Sequence, residues 1–568
     1  MKLPFWQSPE WKRAALAIVS GLALACAFPN CRVTGLAWIA PGLILASGGG
    51  VSEGKLFRAG WLAGFAYSLA AFYWLLHIPV PVAPVVGWIA LSAYIALYFG
   101  TWVWLCWSIL PGGGRNRSEL LVWRDMSTRF GGLTFGERQG WCLLCGIIWV
   151  GLEMIRGRFL TGFPWNFLGT SQFHNLPVIQ IASVTGVYGV SFLLAWFGVA
   201  LMTAIWMAAS QSEKPRVWKA EIVVPLLAVA LVLAFGVRKM LSPRTLDRTV
   251  TMALIQPSIP QTLIWNAGES SNRFQQLLAL SEKALAHPDR PQILVWPEAA
   301  LPNLLRYDAP TYAALTNLVQ THNVWMILGA DDAMPRANAR SDRDVDYFNS
   351  SFLINPAGEI VEQYRKRQLV PFGEFTPLAR WIPPLRHLLP AGEGFRAGDR
   401  AVPFRLNKPD VKTSVLICFE DIFPHLARAD VESDTDFLLN LTNNGWFGES
   451  AAQWQHAAGA VFRAVENGLP LVRCANNGLT CWVDSIGAMH DVQFTMGPQP
   501  SNVYAAGFKI VKVPLLPRGS VRPATLYQLY GDWFGWSCAG ITLALLVLRL
   551  GPGVLARLSR KRNKSPSA

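Results

Sequence analysis

The chain has 568 residues, of which 52% are hydrophobic and only 15% charged, and its formal net charge is +14. Soluble domains carry about 25% charged residues, so this composition excludes an ordinary soluble enzyme. The basic residues sit in short clusters between apolar runs, a pattern of membrane-protein loops and not of a nucleic-acid surface.

A helix needs about 20 mostly apolar residues to cross a hydrocarbon core. In chain order, candidate spans fall near residues 13–29, 34–50, 57–78, 86–110, 141–156, 184–208, 221–238 and 533–550. The first has the look of a signal peptide, with Lys12 and Arg13 before an apolar run and Ala25-Cys26-Ala27 after it. More spans follow at once, so an uncleaved helix is expected. Cys142-Leu-Leu-Cys145 has a redox or zinc spacing but lies inside an apolar run without a second pair, which favours packing. An even number of spans puts both ends on one side. Five basic clusters share that side: Lys2, Lys12 and Arg13; Lys55 and Arg58; Arg115 to Arg138; Lys214 to Lys219; and Arg557 to Lys564. The alternate loop Pro79–Val85 carries no charge. The positive-inside rule makes the clustered side cytoplasmic, with both termini there and residues 239–532 facing outward. Three segments result: 1–238 with seven spans, 239–532 as an extracytoplasmic domain, and 533–568 as the last span and basic tail. In the outward loop Arg156–Gly169, two readings stay open. Arg156 and Arg158 meet lipid phosphates with Phe163 and Trp165 at headgroup depth, or the loop is an aromatic belt with snorkelling arginines.

Between spans seven and eight the apolar runs become short and alternate with amphipathic stretches. Strands are expected at Val250–Gln256, Gln292–Trp296, Val324–Gly329, Tyr347–Asn355, Ile360–Arg365, Ser414–Cys418 and Phe437–Leu441. Helices are expected near Ser271–Ala286 and Thr311–His322, and a turn at Pro356-Ala-Gly358. This alternation implies a layered α/β domain with its own core.

Three constellations there carry candidate chemistry. Trp296-Pro297-Glu298 puts a carboxylate just past a buried strand, where desolvation favours a general base. Tyr364–Glu374 offers Lys366 at a strand end and Glu374 after a Pro/Gly turn. Val415-Leu-Ile-Cys418-Phe-Glu420-Asp421 ends a buried strand on a thiol. That thiol suits a nucleophile and equally suits a core cysteine; the glutamates and lysine taken singly suit a solvated surface.

In this order the three motifs resemble the nitrilase superfamily, and with the membrane spans they resemble the apolipoprotein N-acyltransferase family. The likeness continues through Thr161-Gly-Phe-Pro-Trp165, Leu369–Glu374, Asn443–Gly448, Arg473–Gly478, Thr525-Leu-Tyr527 and Gly531-Asp532. It implies a polytopic α-helical membrane domain plus an extracytoplasmic α/β nitrilase-like domain, an αββα sandwich. Carried over residue by residue, it implies Glu298 as base, Lys366 as oxyanion stabiliser and Cys418 as nucleophile. Glu374, Glu420 and Asn349 would be supporting residues, and Trp265, Trp446 and Phe419 would lie near the substrate. Phe419 stands where the family usually has tyrosine. The implied reaction moves an acyl chain from a phospholipid, phosphatidylethanolamine, through a Cys418 thioester to the N-terminal amine of diacylglyceryl-modified apolipoproteins. The implied setting is the bacterial inner membrane, with the catalytic domain in the periplasm, as a monomer without cofactor, metal or nucleic acid. The Pro-rich segment Leu378–Pro390 with Ala391–Phe395 is expected to form a lid. The alternatives are a membrane-anchored amidase and a transporter or receptor with a decayed enzyme domain.

Overall fold

The computed structural model describes residues 9–50, 52–111, 129–209, 217–242, 246–336, 344–377, 394–492, 503–520 and 522–562. The chain divides into two compact units: residues 1–76, 82–240 and 532–568 form one, and residues 77–81 and 241–531 the other.

The first unit is helical. Its main helices are α1 (Pro9–Cys26), α2 (Leu36–Ser47), α3 (Glu53–Ala71), α4 (Ala83–Ser108), α5 (Phe135–Arg156), α6 (Val187–Ala209) and α7 (Val217–Leu241), with a final helix Trp533–Arg562. Each expected span coincides with one of these helices. By length and composition, however, four candidate spans stand out among the described residues: Ala83–Ser108, Val187–Ala209, Trp218–Leu241 and Trp533–Gly551. The other four helices fall short for legible reasons. Helix α2 has 12 residues and Pro41 inside it; α1 and α3 open on charged turns (Glu10, Lys12 and Arg13; Glu53, Lys55 and Arg58). Helix α5 carries Glu137, Arg138, Glu153 and Arg156.

Three of those charges, Arg138, Glu153 and Arg156, are buried and handled internally, as buried charges must be. Arg138 Nε donates to Glu221 Oε1 at 2.7 Å, and Gln139 Nε2 donates to Glu221 Oε2 at 2.8 Å. Glu153 Oε1 accepts from the Leu168 N–H at 2.7 Å and from Trp149 Nε1 at 3.0 Å, capping the irregular chain that follows α5. Both readings of the Arg156–Gly169 loop put Arg156 and Trp165 at the surface, whereas they are only 4% and 5% exposed. The Arg156 guanidinium lies 5.1 Å from the Phe167 ring centroid. An aromatic face compensates a desolvated cation, which explains why this arginine turns inward. Arg158 instead pairs with Asp532 at 2.5 Å.

Among the described residues, the second unit contains two six-stranded sheets. Their strands are β1 (Arg248–Gln256), β2 (Ile293–Val295), β3 (Trp325–Pro335), β4 (Val345–Ile354), β5 (Ile360–Arg365), β6 (Pro403–Asn407), β7 (Asp410–Ile417), β8 (Phe437–Thr442), β9 (Leu471–Ala475), β10 (Cys481–Val483), β11 (Met489–His490) and β12 (Gly507–Leu515). The orders are β12-β1-β2-β3-β4-β5 and β11-β10-β9-β8-β7-β6. In each sheet three strands run parallel, β1-β2-β3 in one and β7-β8-β9 in the other. Parallel strands are covered on both faces, which explains the near-continuous apolar runs in β1 and β8. Val250, Met252, Leu254 and Ile327 meet Val415, Ile417, Leu439 and Val472 between the sheets. On the outer face of the first sheet, Ala253, Ile255, Leu294 and Met326 pack under α8 (Ser270–Leu285) and α9 (Ala309–His322). Helix α10 (Ala452–Asn467), with most of its residues buried, lies on β9 and β10 of the second sheet. The layers are thus helix, sheet, sheet, helix.

Strand β3 runs six residues past the expected end at Gly329, to Pro335. Strand β7 stops at Ile417, one residue short of the expected end. The hairpin between β4 and β5 turns where Pro356-Ala-Gly358 was expected, with Gly358 at φ +88°. The lid segment Leu378–Pro390 and residues 391–393 lie outside the described residues.

Candidate active site

The site is built at the carboxyl ends of parallel strands, the usual ligand edge of such sheets. Glu298 follows β2, Cys418 follows β7 and Asn443 follows β8; Lys366 comes one residue after β5. The approach to Glu298 is fixed from behind. Trp296 is fully buried and donates from Nε1 to Ser281 Oγ at 2.8 Å. Gly329 on β3 lies against Glu298: a Cβ at that glycine would stand 2.6 Å from Glu298 Cα. Only a residue without a side chain permits that approach.

Glu298 is 6% exposed and Lys366 1%. Lys366 Nζ donates to Glu298 Oε1 at 3.2 Å and to Glu374 Oε1 at 2.8 Å. Asn349 Nδ2 donates to the same two oxygens, at 2.8 and 2.9 Å. The second oxygens are held by main chain: Asn443 N–H to Glu298 Oε2 and Val370 N–H to Glu374 Oε2, both 2.8 Å. Two carboxylates thus share one ammonium and one amide. Burial alone would lower the Lys366 pKa, but Glu298, Glu374 and Cys418 outweigh it and hold the ammonium well above its ordinary value. The lysine is a fixed positive charge.

The Cys418 thiol lies against the Glu298 carboxylate. Burial raises the thiol pKa well above its usual value; Glu298 adds to this, Lys366 opposes it and Glu374 adds again. Burial and the neighbouring carboxylates thus favour the neutral thiol, a form that is nucleophilic only once a base removes its proton. Cys418 has φ +56°, a left-handed conformation that costs a non-glycine residue about 1–2 kcal/mol. The surroundings enforce it. The Cys418 carbonyl accepts from Asn440 Nδ2 at 2.8 Å and lies 3.2 Å from His456 Nε2. His456 Nε2 also meets Asp421 Oδ1 at 2.6 Å, and Asp421 pairs with buried Arg473.

Glu420 is a clamp and makes no hydrogen bond or ion pair to Lys366 among the described residues. Its Oε1 accepts from the N–H groups of Arg367 (2.7 Å) and Gln368 (3.0 Å). Its Oε2 accepts from the Ile417 N–H (2.7 Å) and the Tyr364 hydroxyl (2.9 Å). One fully buried carboxylate therefore ties the lysine segment to the cysteine turn. Phe419 presents its ring 5.6 Å from Lys366 Nζ and stacks edge-on with Phe423. Trp265 and Trp446 form a T-shaped pair at 5.2 Å, Trp265 being 46% exposed. They pack on each other and make no hydrogen bond to Glu298, Lys366 or Cys418. Asn440, Asn443 and His456 were not singled out from the sequence. The motif Asn443–Gly448 was visible, but a backbone N–H donor carries no side-chain signature.

A strained thiol against a carboxylate, with an ammonium between carboxylates, at the open edge of two stacked sheets, is the arrangement of a cysteine-dependent carbon–nitrogen hydrolase domain. Residues 251–500 match the family model described as carbon-nitrogen hydrolase, and residues 20–200 match the one described as apolipoprotein N-acyltransferase N-terminal domain. The chain is 32% identical to an apolipoprotein N-acyltransferase of Geobacter metallireducens, with 99% of this chain and 98% of that protein aligned. It is 30% identical to that of Chlorobaculum tepidum (83% and 86% covered) and 29% identical to that of Rhodopseudomonas palustris (95% and 96% covered). The chain belongs to the apolipoprotein N-acyltransferase family.

Proposed function

We propose that this chain transfers an acyl group from a membrane phospholipid to the N-terminal amine of diacylglyceryl-cysteine on apolipoproteins, in two half-reactions on Cys418. The observation that carries the reading is the Cys418 thiol against Glu298, with Lys366 held between Glu298 and Glu374. In the first half-reaction Glu298 takes the thiol proton as sulfur attacks the ester carbonyl of the donor. Lys366 stabilises the oxyanion, where one donor is worth on the order of 10²–10³ in rate. The C–O bond breaks, Glu298 protonates the departing lysophospholipid alkoxide, and a thioester remains. In the second half-reaction the lipoprotein amine attacks the thioester, the C–S bond breaks, and an amide forms. A thioester suits this order because the amine displaces a good leaving group.

We further infer eight spans, both termini cytoplasmic and residues 239–532 outward, in the inner membrane of a bacterium. The support is the agreement of five basic clusters on one side. A reporter that is active only outside the cytoplasm, fused within residues 239–532 or to the C-terminus, tests this; activity from the C-terminal fusion refutes it. The reaction is tested by incubating the purified protein with phosphatidylethanolamine. The expected result is an acyl mass adduct on Cys418, absent in Cys418→Ala. Turnover of small amides without any adduct would favour an amidase instead.

A further inference from the structure

The acyl-transfer reading leaves one carboxyl at the site without a task. Asp331 on β3 is in register with Asn349 on β4. Cross-strand partners project to the same face, with Cβ atoms about 4.5–5.5 Å apart. Asn349 uses that face to reach Glu298 and Glu374, so the Asp331 side chain stands beside the amide that holds both. The strand period agrees from the other direction. Two residues earlier on this face Gly329 backs onto Glu298, and Trp325 and Ile327 continue the face into the core between the sheets. Asp332 points the opposite way, accepting from Gln363 at 2.6 Å and facing Arg365 at 3.6 Å and Arg306 at 3.9 Å. Asp331 is half-buried, with its carboxyl largely desolvated, and it has no hydrogen bond or ion pair among the described residues.

We propose that Asp331 seats the ammonium of the acyl acceptor and takes its first proton, so that the acceptor meets the thioester as a free amine. This rests on the acyl-transfer reading above. An α-amine titrates near 7.7–8.0, so most of the acceptor arrives protonated and without the lone pair it needs. Forming an amide from an ammonium releases two protons, and Glu298 has room for one. With Asp331 the step balances. The ammonium gives one proton to the Asp331 carboxylate, and the freed nitrogen lone pair forms the N–C bond. The C–S bond breaks with its electrons on sulfur, the second nitrogen proton goes to Glu298, and Glu298 then reprotonates the Cys418 thiolate. Asp331 returns its proton to solvent.

The surroundings suit both forms of the carboxyl. Burial pushes Asp331 up to about 7, Glu374 and Glu298 add to this, and Lys366 opposes it. It is thus a matched acceptor for an α-ammonium at neutral pH. Once protonated it needs an acceptor of its own. Asn349 Oδ1, one cross-strand step away, is buried and has no hydrogen-bond partner.

The first half-reaction involves an ester and no ammonium, which separates this role from a structural one. The test uses full-length protein in mixed detergent–phosphatidylethanolamine micelles. Cys418 loading is read by mass, and discharge is read with a diacylated lipopeptide bearing a free α-amine or with hydroxylamine, an amine largely unprotonated at neutral pH. In Asp331→Asn, loading and hydroxylamine discharge are expected at wild-type rates, while lipopeptide discharge near pH 7, where about half of Asp331 is ionised and only about a tenth of the amine is free, slows several-fold. That deficit closes above about pH 8, where the amine is free unaided, and Asp331→Glu restores part of the rate. Unchanged lipopeptide discharge overturns the assignment. So does equal slowing of both nucleophiles, or failure of Asp331→Asn to load where the wild type loads. Absence of an adduct in the wild type itself overturns acyl transfer, and this assignment with it.

Discussion

Replacing Lys366 by methionine tests how the site is held together. The ammonium donates to Glu298 at 3.2 Å and Glu374 at 2.8 Å, and its side chain is 1% exposed. Methionine fills similar volume but leaves two carboxylates sharing one Asn349 amide group with no cation between them. Removing one partner of a buried ion pair costs about 3–5 kcal/mol, because the remaining charge is left desolvated. In a unit of this size that corresponds to a fall in Tm of roughly 5–10 °C. The two carboxylates would respond by sharing a proton, since neighbouring like charges in one site do not both ionise easily. Removing one of them as well should relieve the strain. Lys366→Met/Glu374→Gln should therefore melt above Lys366→Met alone, by thermal unfolding in detergent followed through tryptophan fluorescence. With Lys366 in the proposed oxyanion-stabilising role, neither variant should regain activity, and thioester formation should fall by at least about 10². A Lys366→Met protein that melts with the wild type, or that loads acyl at more than a tenth of its rate, would refute the account of the lysine as the shared counter-charge.

Other predictions follow from single contacts. Gly329→Ala places a methyl group 2.6 Å from Glu298 Cα; relieving that contact shifts Glu298 by about 1 Å, which costs about 10²-fold in rate, read as slower Cys418 loading. Cys418→Gly should be more stable than Cys418→Ala by about 1 kcal/mol, because glycine adopts φ +56° without the steric penalty; equal melting temperatures would mean that the turn relaxes. Glu420→Gln keeps the shape of the clamp but turns one acceptor oxygen into a donor facing N–H or O–H groups. A loss of about 2–3 kcal/mol is expected, with slower loading, by the same melting and mass assays.

The order of elements in the catalytic unit was legible because its parallel strands are buried on both faces and written in continuous apolar letters. The limits of β3 and β7 were not. Nothing in Asp331 or Asp332 announces that they extend a strand, since their pairing with Phe348 and Asn349 is a long-range contact. Cys418 was placed at a strand end, but positive φ is signalled in a sequence by glycine or asparagine, and here it is imposed by Asn440 and His456 from elsewhere in the chain. Glu298, Lys366 and Glu374 were visible as motifs; their mutual distances were not. In the membrane half, Arg156 looked like a surface group because its compensating partners, Phe167 and the Asn166 carbonyl, lie 10 or more positions away.

The pairing of β1 with β12 also sets a timetable. Arg248 stands opposite Leu515, and the ladder runs without interruption to Gln256 opposite Gly507. The first strand synthesised in this unit thus waits for the last before its outer edge is closed. Closing so long a loop adds only logarithmically to the entropy cost, but contacts this distant in sequence slow folding and leave a naked strand edge meanwhile. A chain stalled or truncated before residue 507 would expose β1 as a template for pairing with another copy. The vulnerable species of this protein is accordingly its nearly complete one.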